Sequence, residues 1–369
     1  MPSSTPYTLG RPLPDAWRDR PPATVWVRRG PGLSQALVAH AANALALHPQ
    51  ASASTSAFPP EAPTIEAHVG TPPKAAPQPA WERVATDARG TVWRTPEGLR
   101  WAGDGGGHVQ WREDHGTAQL WVEHPRTPAG RHAVVNGLRH AFTGALARIG
   151  WTPLHAAALR PPPDASHTGG VLLVGPSGSG KSTLTAGLLQ RGWQCVSDDQ
   201  VVVAPSSSPR VGRLSPTLRL CPDAWTRLGL QHAAFSASAS RVPLADRPPT
   251  GPTEKWSVPL TAMEDHAPAR TAAWATPQHV IRIGIDEAPT SRLVPCRAAR
   301  LLPTLLSQSL PPAVLPTAIA TAQTQRLGAL LRHADGFELT AGRDLYEAPG
   351  RLADLLSTAA RSSPPHSLA

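Results

Sequence analysis

One stretch constrains the fold of this chain more than any other: GGVLLVGPSGSGKSTLTAGLLQRGWQCVSDDQ, running from Gly169 to Gln200. Val171 to Val174 is an unbroken apolar run, the pattern of a strand buried on both faces. A glycine-rich loop follows it directly, and Thr183 to Arg191 is helix-compatible. Gln194 to Ser197 then forms a second short strand that ends in two aspartates. A strand that feeds a helix and returns to another strand calls for α/β layering.

Gly175-Pro176-Ser177-Gly178-Ser179-Gly180-Lys181-Ser182 fulfils the P-loop pattern G-x-x-x-x-G-K-[ST] completely, with the strand and helix that the pattern requires on either side. Its glycines let successive backbone N–H groups turn inward as a nest, and the following helix start adds partial positive charge, so the loop suits phosphate oxygens. Lys181 would reach the outer phosphates. The Ser182 hydroxyl suits Mg²⁺, which would bridge two phosphates, and Thr183 completes the binding stretch.

Asp198 and Asp199 read in isolation as a turn or as solvated carboxylates. Following a βα unit with a phosphate loop, they acquire a better explanation, because the carboxyl ends of neighbouring strands meet at the ligand crevice in open α/β sheets. Phosphoryl transfer needs a metal ligand and a group that orients or deprotonates the attacking hydroxyl. Neighbours on an extended strand point to opposite sides, so two roles are expected of the pair.

A chain of 369 residues supports two domains. Residues 1–22 are rich in Pro and Ser and are expected to be unordered. Residues 23–130 form an α+β N-terminal domain: a strand at Thr24 to Arg29, a helix at Leu33 to His48, a linker-like loop over 49–80, and a β-meander from Trp81 to Pro125 marked by recurrent turn signals. Trp81, Trp93, Trp101, Trp111 and Trp121 recur about once per strand; most serve as the apolar face of the sheet, although a platform for bases or sugars would use the same spacing. Arg131 to Ile149 carries an apolar stripe on one helix and opens a second domain, 131–360, followed by a tail over 361–369.

Cys195, Cys221 and Cys296 are widely separated, which suggests neither a disulfide framework nor a structural zinc site. The opening residues lack a basic segment followed by an apolar one, and no later run approaches the ~18 apolar residues of a membrane span. A soluble, cytoplasmic protein without membrane contact is expected. The net charge of +9 would allow nucleic-acid binding. The charge is dispersed, however, and nowhere interleaved with aromatics as in a single-strand groove, so nucleic acid is not the expected partner. Of 35 basic residues only Lys74, Lys181 and Lys255 are lysines. Lys255, and Arg219 in PTLRL, are further candidates for phosphate contact, against the plainer reading of surface charges.

The ordered combination of LHAAAL with His155, GVLLVGPSGSGKST, the R-G turn at Arg191-Gly192 and VSDDQ resembles the catalytic domain of HPr kinase/phosphorylase and its kinase-like relatives. The likeness covers about Trp151 to Leu220 and extends beyond that only in outline. It implies an α/β P-loop kinase domain with the mixed sheet of the phosphoenolpyruvate-carboxykinase type, binding ATP and Mg²⁺ and phosphorylating a Ser/Thr hydroxyl of a protein or peptide. By the same resemblance Asp199 looks like the general base, Asp198 a metal or charge partner, Lys181 a catalytic cation, and His155 a support for the carboxylate; the two aspartates could exchange roles. Without the family, His155 reads as a structural histidine. Thr183 stands where the bifunctional members carry Glu, and no glycine-rich E-x-R-G signature follows, so the nearer likeness is to relatives whose substrates vary. The alternative function is a nucleotide-binding regulatory or assembly module with little turnover. The sequence names neither the acceptor nor the oligomeric state, and it offers no nucleobase reader.

Overall fold

The computed structural model describes residues 4–9, 24–29, 34, 47–49, 64–70, 72, 77–87, 90–103, 106–112, 117–162, 169–206, 208–214, 217–227, 240–243, 254–260, 271–311 and 314–362. The protein is mixed α/β, with several sheets and helices. It divides into two compact units, Met1–Pro153 with Leu310–Gln323, and Leu154–Ser309 with Thr324–Ala369.

The first unit is built on a nine-stranded sheet of β1 (Ser4–Leu9), β2 (Thr24–Arg29), β3 (Leu47–Pro49), β4 (Thr64–Val69), β5 (Glu82–Asp87), β6 (Gly90–Thr95), β7 (Gly98–Gly103), β8 (Gly107–Arg112) and β9 (Thr117–Val122), in the order β3-β1-β2-β4-β9-β8-β7-β6-β5. Strands β5 to β9 are the expected meander, all antiparallel. Its core face alternates as the pleat requires: Leu99, Trp101, Val109, Trp111, Ala118, Leu120 and Val122 are buried. Helix α1 (Pro128–Arg148) covers that face with Val134, Leu138, Phe142 and Leu146, and Thr127 caps its start by accepting from the Gly130 N–H at 3.0 Å.

Three expectations change in this unit. Residues 4–9, placed in an unordered terminus, form a strand paired with β2 and β3, since STPYTL carries β-favouring Thr and Tyr. The loop expected over 49–80 contains β4, which pairs in parallel with β2 and β9 and buries Ile65 and Ala67 completely. The period-2 pattern of TIEAHV was hidden by the Pro/Ala/Ser-rich residues around it. Finally, the unit boundary falls at Pro153 instead of near Arg131, because α1 packs on the meander. Of the tryptophans, Trp101 and Trp111 lie in the core and Trp81, Trp93 and Trp121 are half-buried. The helix expected over Leu33 to His48 lies outside the described residues, except at Ser34, which is in neither helix nor strand, and at its end, where Leu47–Pro49 is a strand.

A short strand, β10 (Thr152–Leu154), precedes the second unit's main sheet. That sheet comprises β11 (Ala156–Arg160), β12 (Gly170–Val174), β13 (Gln194–Ser197), β20 (Pro277–Ile285), β21 (Arg292–Pro295) and β22 (Asp335–Ala341), in the order β13-β11-β12-β20-β22-β21. Strand β12 is parallel to β20, and β20 to β22, whereas β11 runs antiparallel to both of its neighbours. Both faces are covered. Helix α2 (Lys181–Gln190) and α7 (Leu352–Ser362) bring Leu184, Leu188, Leu352 and Leu356 against Leu173, Ile281 and Leu339 on one side. On the other, α4 (Ala298–Ser307) and α5 (Thr317–His333) bring Leu301, Leu305, Leu327 and Leu330 against Leu172, Val174 and Val280. Burial on both faces is the reason VLLV has no polar alternation.

Smaller pieces complete the unit. β14 (Val201–Val203), β15 (Val211–Arg213) and β19 (Trp274–Ala275) pair antiparallel, as do β16 (Thr217–Leu220), β17 (Ser240–Pro243) and β18 (Glu254–Pro259). Two short helices, α3 (Pro222–Arg227) and α6 (Arg343–Glu347), follow β16 and β22 in sequence. No helix among the described residues is long and apolar enough to cross a membrane.

Candidate functional site

The sheet order brings three chain segments to one edge. Because β11 is antiparallel to both β12 and β13, it begins where they end: Ala156 pairs with Val174, and Ala158 pairs with both Leu172 and Ser197. His155 therefore precedes β11 at the same edge where Gly175 follows β12 and Asp198-Asp199 follows β13. The sequence expectation of strand ends meeting at a crevice corresponds to this register.

The loop from Gly175 to Gly180 turns through positive φ at Gly175 (157°), Gly178 (88°) and Gly180 (88°). Gly180 stands at the N-cap of α2 in the left-handed region, where a side chain would be strained. A Cβ on Gly175 would meet Ser179 Oγ at 2.8 Å and the Ile283 carbonyl at 3.0 Å, so only glycine lets the loop lie this close to β20. Lys181 is 94% buried and folds back on the loop, its Nζ donating to the carbonyls of Gly175 at 2.7 Å and Pro176 at 3.1 Å. Burial pulls its ammonium below the ordinary lysine range; Asp199 and Asp198 oppose that shift and Lys255 adds to it.

The two aspartates differ sharply in environment. Asp198 is buried, with Oδ2 accepting from the Arg219 N–H at 3.0 Å and Oδ1 lacking any protein partner. Burial pushes its carboxyl up to about 6; the Arg219 N–H opposes this, the Asp199 charge adds to it, and the Ser182 hydroxyl and Lys255 oppose it. Asp199 remains partly open. Its Oδ1 lies 3.3 Å from His155 Nδ1, and its Oδ2 lies 3.9 Å from Arg219 Nη1. His155 Nδ1 is also 2.8 Å from the Asp199 carbonyl oxygen. Both neighbours are acceptors, so Nδ1 carries the hydrogen and His155 holds Asp199 by side chain and main chain together.

Of the residues singled out in the sequence, the structure gathers Gly175 to Thr183, Asp198, Asp199 and His155 at this edge. Arg219 lies beside the two carboxylates: its backbone N–H donates to Asp198 and its guanidinium faces Asp199. Lys255 lies on β18 two residues from Ser257, the partner of Arg219 in the register, and its charge acts on both Lys181 and Asp198. The role of Arg219 in holding both carboxylates escaped sequence reasoning, since only the pairing of β16 with β18 fixes it. Cys195, three residues before Asp198, is fully buried, and burial and the Asp198 charge push its thiol up while Arg213 opposes the shift, an environment unlike that of a reactive cysteine.

The residues present fit a bound nucleotide and its metal. Ser179 Oγ is buried without a partner inside the loop, and three positive-φ glycines lead the loop into a helix start, the setting that suits an anion. Beside it, Asp198 leaves a buried carboxylate oxygen unsatisfied next to the Ser182 hydroxyl. No group of three or more His, Cys, Asp or Glu suited to a metal occurs among the described residues. Mg²⁺ does not need one, since it takes one or two protein ligands and completes its shell with phosphate and water. No protein-family model matches the chain, and no curated protein matches it.

Proposed function

We propose that the protein is an ATP-dependent kinase resembling HPr kinase, with a P-loop domain of that type, which transfers the γ-phosphoryl group to a Ser/Thr hydroxyl of a protein or peptide. The observation that carries this reading is the convergence of Lys181, Asp198, Asp199 and His155 at one sheet edge. Lys181 and the loop amides would hold the triphosphate; Ser182 and Asp198 would hold Mg²⁺, which supplies charge neutralisation between the outer phosphates. Asp199 is the more open carboxylate, and His155 and Arg219 fix its orientation. It would accept the acceptor's hydroxyl proton as the new O–P bond forms and the bond to the β-phosphate oxygen breaks, leaving ADP and a phosphorylated hydroxyl. Asp198, fully buried, is suited to the metal and not to exchanging protons with an incoming substrate.

The test is incubation of the purified protein with γ-labelled Mg-ATP and a proteome extract. The kinase reading expects label on Ser or Thr side chains with wild-type protein and none with Lys181→Met. Nucleotide binding without any labelled hydroxyl would favour the regulatory module and overturn it.

A further inference from the structure

Outside the edge that holds the carboxylates, the glycine-rich loop also borders a cavity of about 500 Å³, within the size range of small-molecule sites. Ser179, Gly180 and Thr183 form one wall; Ile285, Arg343 and Tyr346 belong to the others. The described residues include only three large apolar side chains that stand open to solvent, and two of them, Ile285 (66% exposed) and Tyr346 (54%), line this cavity. Ile285 ends β20, which is parallel to β12, and pairs with Ala341 at the end of β22, so the cavity lies outside the carboxyl ends of parallel strands. The Tyr346 ring is tethered: its hydroxyl donates to Asp223 Oδ2 at 2.9 Å.

We infer that this cavity seats the nucleoside half of the nucleotide, with the base against Tyr346 and Ile285, and that these two residues give the site its preference for a nucleotide over a bare polyphosphate. The inference rests on the proposed phosphate site. The direction of the ligand follows from charge. Lys181 and the metal-holding pair would fix the terminal phosphates on the carboxylate side, while the cavity lining carries two acids, Asp286 and Glu287, against one cation, Arg343, a balance that disfavours phosphate there and leaves carboxylates to accept hydrogen bonds from ribose hydroxyls. A planar base would cover two exposed apolar side chains that stand on the same cavity, and a tethered ring loses little freedom on stacking.

Calorimetric titration with Mg-ADP and with inorganic tripolyphosphate separates the two claims. Wild-type protein is expected to bind ADP more tightly than tripolyphosphate. Tyr346→Ala and Ile285→Ser should each weaken ADP about tenfold, the scale of losing one stacking partner, and leave tripolyphosphate unchanged, whereas Tyr346→Phe should retain ADP binding. Ile285 is exposed, so its replacement does not threaten the fold. Unchanged ADP affinity in both Tyr346→Ala and Ile285→Ser overturns the cavity assignment while leaving the phosphate site standing. Failure of the wild type to bind either ligand overturns the phosphate site and the cavity with it.

Discussion

Replacing Lys181 with methionine keeps the aliphatic stem and removes only the ammonium. In the structure that ammonium sits at 2.7 and 3.1 Å from the carbonyls of Gly175 and Pro176, at the mouth of the loop, within the field of Asp198 and Asp199. It is a buried cation without a salt-bridge partner in contact distance among the described residues, held by main chain, and an incoming phosphate would provide its missing counter-charge. A hydrogen bond to a charged group is worth about 1.5–3 kcal/mol, which corresponds to a loss of about 10- to 150-fold in affinity for Mg-ADP. The fold should survive, because the lost bonds to two carbonyls are offset by the relief of burying a charge. Isothermal titration with Mg-ADP, alongside a thermal melt, measures both. An unchanged dissociation constant in a folded Lys181→Met protein would refute the reading of this loop as a phosphate cradle.

Two further outcomes follow from packing and titration. Trp101 is 98% buried and stacks on His140 at 4.4 Å, so Trp101→Ala should destabilise the first unit by about 3–5 kcal/mol in urea unfolding followed by circular dichroism; a loss under about 1 kcal/mol would remove Trp101 from the core. Burial holds the His279 imidazole below its ordinary pKa, with Asp335 at 4.0 Å opposing. The unfolded chain then takes up that proton first as pH falls, so stability should drop below about pH 6.5, and His279→Gln should flatten the profile in denaturant titrations between pH 7 and 5; an equal slope in both proteins would contradict the assignment.

The legibility of this chain was uneven for physical reasons. Val171 to Ser182 announces itself because a strand buried on both faces, a glycine loop and a helix start each have a strong local signature. The meander was visible through its turns. Strand β4 was not, since Ile65, Ala67 and Val69 are a short alternation inside a Pro-, Ala- and Ser-rich stretch, and the burial of Ile65 and Ala67 depends on partners at β2 and β9, far away in sequence. The site was half legible. Asp198 and Asp199 could be placed by strand direction, but their division into a buried and an open carboxylate, and the hold of Arg219 on both, come from the pairing of β16 with β18. The cavity beside Thr183 joins segments more than a hundred residues apart, and no local pattern marks Ile285 or Tyr346.

The most direct measurement compares wild-type and Asp199→Asn protein for both nucleotide affinity and transfer of the labelled γ-phosphoryl group. A general base contributes about 10²- to 10⁴-fold, so the variant should bind Mg-ATP as the wild type does and transfer at least a hundred times more slowly. Equal transfer rates in the two proteins would contradict the assignment of Asp199 and, with it, the proposed chemistry of this sheet edge.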